Sequence, residues 1–331
     1  KIYYRILREL NKRTGILNKN SLSEILVSTY YSNKVQNKFI EYLNNQNYDI
    51  VVGVSGEYSL LLGIISDRLN AMTIGWQHNS YEAYFETRNK YFWNQDILYK
   101  KYLGKLNKYI VLTDHDNKML KDKFNINCNR IYNPLSFKSK EKSDCKQKNI
   151  VSVCRLVEQQ KGLDLLIKSF YKICKSCSEW TLTIVGDGPD KDRLNKLIDR
   201  LEIGEQVKIE PFTNKVQNYY LNSSIFVSSS RWEGFGLVIT EAMECGLPII
   251  SFANSGPKEI INQDGKNGIL IPCENTEELS KAMLMLINNY EKRIELSIEA
   301  IKRADDFSIN AICNEWREIF DNINTSINRE I

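Results

Sequence analysis

Two carboxylates stand eight residues apart in "RWEGFGLVITEAMECGLPIISF" (231–252): Glu233 lies in a glycine-bracketed turn and Glu241 in the helical pattern that follows. The run "SIFVSSS" before them reads as a strand, "RWEGFG" as a turn, and "LVITEAMECG" as a helix closed by Gly246. The amides of Gly234, Phe235, Gly236 and Leu237 are then expected at a helix N-terminus, where unpaired N–H groups and the helix dipole attract phosphate. With a rise of about 1.5 Å per residue the two acids are separated by on the order of 10 Å. A diphosphate fits between them, with one carboxylate accepting from sugar hydroxyls and the other from ribose hydroxyls. Two acids acting as general acid and base on one bond would more often sit closer together. A diphosphate also calls for cations. Arg155 and Lys161 in "RLVEQQKG" follow the strand pattern "IVSVC", beyond the carboxyl end of a strand, where doubly wound sheets take their ligands. Arginine offers a planar fork to phosphate oxygens and lysine a point charge.

The elements that must hold these residues are legible from about residue 149 onward. Short β-branched runs, "NIVSVCRL", "WTLTIVGDG", "QVKIEPF", "SIFVSSS", "LPIISF" and "NGILIP", alternate with helical patterns at 162–175, 189–201, 214–221, 236–245, 256–262 and 276–289. That alternation predicts a parallel sheet built from βαβ units. Strand candidates are sparser earlier, at 48–55, 71–77 and 108–113, with helical patterns near 32–46 and 115–124. The expected organisation is α/β, with a Rossmann-like first domain over 1–137, a lysine-rich linker over 138–148, a second Rossmann-like domain over 149–305, and a C-terminal helical segment, 306–331, packing back on the first domain.

Composition bounds the rest. The chain has 331 residues and suits two domains. No uncharged apolar run reaches the roughly 18 residues of a membrane span, and no signal-peptide pattern is present. The eight cysteines are dispersed through apolar segments, which points to reduced thiols and a cytoplasmic chain rather than a disulfide scaffold. Cys174 and Cys177 form a lone C-x-x-C with no second pair to complete a zinc site. Residues 1–148 carry 24 Lys and Arg against 14 Asp and Glu, and the remainder 21 against 27. The basic first part, with patches such as "LYKKYLGKLNKY", suits an anionic membrane face or a phosphate-bearing acceptor, and a solvated lysine-rich surface is the competing reading. Nothing in it resembles a nucleic-acid-binding motif.

The stretches "VSVCRLVEQQKGLDLLIKSF", "LTIVGDGPDKDRL" and "EGFGLVITEAMECGLPIISF" together resemble the GT-B fold retaining glycosyltransferases of family 4, densely over 149–322 and loosely over 48–137. The resemblance implies two Rossmann-like domains facing across a cleft. It implies that Glu233 orients the donor sugar, that Glu241 holds the nucleotide ribose, and that Arg155 and Lys161 bind the donor diphosphate. Gly186 and Phe212 join Gly234, Phe235, Gly236 and Leu237 as donor-binding positions. His78, in "IGWQHNSYEAYF", falls just past a strand of the first domain, where a histidine of related enzymes lies near the reactive sugar carbon; a core or surface histidine is the alternative. Its neighbours Trp76, Gln77 and Asn79 are candidates for the acceptor side.

The implied activity is transfer of a hexose from a nucleoside diphosphate sugar, UDP favoured over GDP, to a glycan or polyprenyl-diphosphate-linked acceptor in cell-surface polysaccharide synthesis. Peripheral contact with the inner face of the plasma membrane belongs to the same picture. No cofactor and no metal are expected: the triplets "DHD" (114–116) and "DKD" (190–192) read as helix caps, and "VGDGP" lacks the third glycine of a dinucleotide fingerprint. The family usually opens with an apolar strand and a glycine-rich loop, whereas this chain opens on "KIYYRILRELNKRTG"; the first βαβ unit is expected to be missing. A non-catalytic partner subunit and a sugar-nucleotide epimerase on the same fold are the two competing functions.

Overall fold

The computed structural model describes residues 2–327. The chain divides into two compact units, Lys1–Tyr132 and Asn133–Ile331. The first contains α1 (Ile2–Thr14), α2 (Ser23–Tyr30), α3 (Asn33–Asn45), β1 (Ile50–Val54), α4 (Gly56–Ile65), β2 (Met72–Trp76), α5 (Asp96–Tyr102), β3 (Lys108–Val111), α6 (Asp114–Phe124) and β4 (Asn129–Arg130). Its four strands lie side by side in chain order, all parallel, with β1 at one edge. The core is aromatic: Tyr84, Phe85, Phe92, Tyr99 and Phe124 pack edge to face around Leu60 and Leu98.

The second unit contains β5 (Asn149–Val153), α7 (Glu158–Lys161), α8 (Leu163–Cys174), β6 (Thr181–Val185), α9 (Lys191–Arg200), β7 (Val207–Glu210), α10 (Val216–Leu221), β8 (Ile225–Ser228), α11 (Leu237–Glu244), β9 (Ile249–Phe252), α12 (Ser255–Ile260), β10 (Ile269–Ile271), α13 (Thr276–Asn288), α14 (Tyr290–Ala304) and α15 (Ile309–Ile327). Six parallel strands run in the order β10-β9-β8-β5-β6-β7. β8 and β9 are buried at every residue, the pattern of interior strands covered on both faces, which explains why they read as continuous apolar runs. The chain leaves β5 in one direction to β6 and β7, then returns to β5's other side for β8 and proceeds outward to β10. The loops after β5 and β8 therefore diverge at one point on the carboxyl edge, and a crevice opens where strand order reverses.

Residues 138–148, expected to be a linker, are instead fastened to the second unit. Glu244 on α11 is wholly buried, and its carboxylate accepts from the Ser139 amide at 2.8 Å and from Lys142 at 2.7 Å, with Lys138 at 3.3 Å. Two of the five lysines that gave the segment the composition of a tether, Lys138 and Lys142, offset a buried acid. Farther along, the Ser143 amide donates to Cys245 O and the Arg293 guanidinium to Cys145 O. Residues 133–137 join the same unit, with the Leu135 amide donating to Phe307 O at 2.8 Å. Divided at Tyr132, the first unit carries 19 Lys and Arg against 12 Asp and Glu, so it is less basic than the span 1–148 suggests.

The expected C-terminal helix forms as α15, after a single turn, Asp305–Phe307, whose Phe307 stacks edge to face on Phe235. The last residues of the 306–331 segment, 328–331, lie outside the described residues. All eight cysteines are free thiols. Among the described residues, no helix is long and apolar enough to cross a membrane.

Candidate functional site at the strand-order reversal

Because β5 and β8 are neighbours, the loops that follow them bring together residues far apart in sequence. Lys161 ends the one-turn helix α7 after β5, and Glu233 lies in the turn between β8 and α11. Lys161 Nζ donates to Glu233 Oε2 at 2.5 Å, with the two side chains only 13% and 16% exposed. Ser230 Oγ adds a longer hydrogen bond, 3.2 Å, to the same carboxylate oxygen. The cation expected to meet a diphosphate is thus paired with the acid expected to meet a sugar.

Glu241 sits on α11, just over one turn in. Its two oxygens accept from Ser136 Oγ at 2.6 Å and Tyr220 OH at 3.0 Å. Burial, and after it the Glu241 charge, pushes the Tyr220 phenol well above its ordinary pKa, so it stays a proton donor. Neither partner was identified from sequence. Ser136 lay in a stretch assigned to the first domain, and Tyr220 reads only as an apolar position of α10.

Glu241 also lines a pocket of about 350 Å³ with Arg155, Gly186, Asp187, Phe212 and Val238. Four residues singled out from sequence, Arg155, Gly186, Phe212 and Glu241, thus surround one cavity of the second unit. Gly186 is there because nothing larger fits: at φ +154° a Cβ would lie 1.9 Å from Cys154 O. Asp187 accepts from the Phe212 amide at 2.8 Å and sets the loop on which the Phe212 ring stands 68% exposed. An exposed ring at the rim of a largely apolar pocket offers a flat ligand a stacking surface. Cys154, also in the lining, is half-buried, and desolvation pushes its thiol up to about 12, so it acts as wall rather than nucleophile.

The start of α11 follows the expected turn. Gly236 precedes the helix at φ +111°, and Leu237 opens it. Phe235 differs from a ligand-facing residue in that its side chain is buried against Phe307 and presents no ring at the helix mouth. Gly234 and Gly236 are also buried, and Leu237 is partly exposed.

His78 follows β2 in the first unit. Its ring packs on Trp76 at 4.4 Å, its Nε2 is buried without a partner, and burial lowers its pKa. It is therefore a neutral imidazole at neutral pH with one unsatisfied nitrogen. Gln77, a candidate for the acceptor side, is 1% exposed, accepts from Tyr109 OH and donates to Asn79 O; it holds the loop rather than presenting itself to a ligand.

One acid of each D-x-D triplet serves the backbone. Thr113 caps α6 by accepting from the Asp116 amide, and Asp116 accepts from Thr113 Oγ1 and from the Tyr81 amide at 2.7 Å. Asp190 caps no amide of its own helix and accepts instead from the Glu158 amide at 2.8 Å. Among the described residues no group of three or more His, Cys, Asp or Glu is placed to hold a metal ion.

Two parallel α/β units, one with a cation–carboxylate cluster at its strand-order reversal, define the GT-B class of glycosyltransferase folds. The chain belongs to the glycosyl transferases group 1, whose family model matches residues 136–303. It is 31% identical over 316 residues to an uncharacterised glycosyltransferase of Haemophilus influenzae, covering 94% of this chain and 86% of that one. It is 28% identical to the amylovoran biosynthesis glycosyltransferase AmsD of Erwinia amylovora, covering 85% and 80%. Among solved structures, the crystal structure of TarM matches with a TM-score of 0.74 at 25% identity, covering 85% of this chain and 57% of TarM. Anabaena HepE in complex with UDP matches with a TM-score of 0.74 at 20% identity, covering 87% and 82%, a likeness of fold.

Proposed function

We propose that this chain is a family 4 glycosyltransferase that moves a hexose from UDP-sugar to a hydroxyl of a glycan or polyprenyl-diphosphate-linked acceptor, with retention at the anomeric carbon. The observation that carries the reading is a pair of features within one unit: Arg155 and Glu241 line one pocket, and Lys161 pairs with Glu233 in the turn that leads into α11. Departure of the diphosphate and growth of positive charge at the anomeric carbon form the barrier. Arg155, Lys161 and the first amides of α11 would stabilise the leaving group by fixed electrostatics. Glu233 orients the sugar and Glu241, held by Ser136 and Tyr220, accepts from the ribose hydroxyls. Return of the acceptor on the face the diphosphate leaves retains configuration without a protein nucleophile. The donor preference draws support from HepE, solved with UDP and with UDP-glucose. The acceptor class draws support from amylovoran biosynthesis in Erwinia and from the poly(ribitol-phosphate) α-N-acetylglucosaminyltransferase of Staphylococcus aureus, 25% identical over 96% of this chain and 64% of that one. The positive balance of the first unit suits a phosphate-bearing acceptor presented at an anionic membrane face.

The test is release of UDP from UDP-glucose, UDP-galactose and UDP-N-acetylglucosamine in the presence of lipid-linked glycans, with and without chelator. An α-linked product formed from an α-linked donor, unaffected by chelator, is the expected result. Interconversion of free donor with no acceptor would support an epimerase instead, and UDP binding with no turnover of any donor a non-catalytic subunit.

A further inference from the structure

The turn that carries Glu233 and the turn that carries Lys161 are fastened to each other chiefly through Arg231. Arg231 begins the Glu233 turn, and its amide donates to Gln160 O at 2.7 Å. Its guanidinium donates to Glu158 O at 2.8 Å, to Asp164 Oδ1 at 3.1 Å and to Glu274 Oε1 at 2.6 Å. A single planar fork thus reaches the first residue of α7, the first turn of α8 and the loop after β10. Two smaller features work in the same direction. Ser229 Oγ donates to Lys161 O at 2.9 Å, and Gly162, at φ +58°, lets Ser229 O approach so closely that a Cβ would lie 2.2 Å from it.

Arg231 itself stands apart from the donor pocket. It lines a separate open groove of about 670 Å³ with Glu158, Asp190, Arg193 and Trp232, none of which lines the pocket around Glu241. We infer that Arg231 is a positioning residue: it sets Lys161 opposite Glu233, and acts on the donor diphosphate only through that placement. The inference rests on the reading of the site given under Proposed function.

The charges around Arg231 explain why the placement would fail without it. Glu158 and Asp164 are close enough that burial, and then the Asp164 charge, raises the Glu158 pKa, with Arg193 at 2.5 Å and Arg231 opposing the rise. Lys168 pairs with Asp164 at 3.1 Å from the solvent side. Removing the guanidinium leaves these two acids with only the solvent-exposed Arg193 and Lys168 to offset them, and the one-turn helix that ends in Lys161 has no internal length with which to resist displacement.

A double-mutant cycle read by calorimetric titration of UDP separates positioning from general support. Arg231→Gln is expected to weaken UDP binding about tenfold when Lys161 is present and less than twofold in a Lys161→Ala background, because neighbours acting through one another are non-additive. The same loss in both backgrounds would overturn the positioning role, since it would mean that Arg231 acts independently of Lys161. Should Arg231→Gln melt below the assay temperature, Glu274→Gln takes its place; that carboxylate is 57% exposed and is one of three anchors. About threefold weaker binding is then expected, confined to the Lys161 background, and loss in both backgrounds again overturns the role. Failure of the wild-type chain to bind either UDP or GDP would overturn the reading of the site and the positioning role with it, a result distinct from equal costs in the two backgrounds.

Discussion

Replacing Glu233 by glutamine should make the protein bind UDP more tightly while it loses the ability to use UDP-sugar. The argument starts from the ion pair: Lys161 Nζ and Glu233 Oε2 are 2.5 Å apart, with side chains 13% and 16% exposed. Exposed pairs contribute about 0–1 kcal/mol and breaking buried ones costs about 3–5 kcal/mol; a pair this sheltered but still wet on one side falls between, near 1.5 kcal/mol. An incoming diphosphate must take Lys161 from Glu233 and tolerate the carboxylate beside it. Glutamine of nearly the same shape removes the competitor and the negative charge together. Since about 1.4 kcal/mol is a factor of ten, UDP affinity in Glu233→Gln should rise about tenfold, measured by calorimetry at fixed ionic strength. The rise should shrink as salt is added, because part of it is electrostatic. Donor turnover in the same variant should fall by about two orders of magnitude, the loss typical of one preorganised transition-state contact. If Glu233→Gln instead binds UDP tenfold more weakly, Glu233 holds the nucleotide itself and Lys161 is not the cation of the diphosphate.

Three further outcomes follow from the geometry. Tyr220→Phe removes the donor to Glu241 Oε2, a hydrogen bond to a charged group, and should weaken UDP binding about fivefold to tenfold in calorimetry; unchanged affinity would separate Glu241 from the nucleotide. Lys142→Ala strips the nearest cation from the wholly buried Glu244 and should lower the stability of the second unit by about 3 kcal/mol in urea unfolding, with Lys142→Ala/Glu244→Gln recovering part of it. Asp116 is buried and its pKa is raised to about 6, first of all by burial. A raised folded-state value means that its favourable contribution is complete below the ordinary carboxylate range and is lost as pH rises through about 6. The melting temperature of Asp116→Asn relative to wild type should therefore climb between pH 4 and pH 7, by the equivalent of on the order of 2 kcal/mol, and a flat difference would contradict the burial argument.

The second unit was legible from sequence almost element by element, because interior parallel strands must be apolar throughout and each is followed by a helix with its own stop. The turn that holds Glu233 was legible for a related reason: glycines between an apolar strand and a helical pattern mark a tight loop leading into the helix. Local pattern could not show which residues complete the site from a distance. Ser136 reaches Glu241 across 105 residues of chain, and Arg231 reaches Asp164 across 67. Both contacts exist only because β8 returns to lie beside β5. The 138–148 segment misled for a physical reason: lysines that serve solvent and lysines that neutralise a buried acid give the same composition, and only the fold reveals Glu244 beneath them. Gln77 likewise looked like a ligand contact because polar residues after a strand usually face outward, whereas a tyrosine hydroxyl from the next strand had claimed it.

The stapled segment also decides where the chain can be cut. An excision beginning at the first strand of the second sheet, the place that composition favours, would leave Glu244 without Lys142 and Ser139 and would take Ser136 away from Glu241. An excision beginning at Asn133 carries all of these along, together with every residue that lines the Glu241 pocket. For anyone grafting this half onto another scaffold, the portable module starts sixteen residues before its first strand, and two lysines of its basic leading stretch hold an acid of its interior.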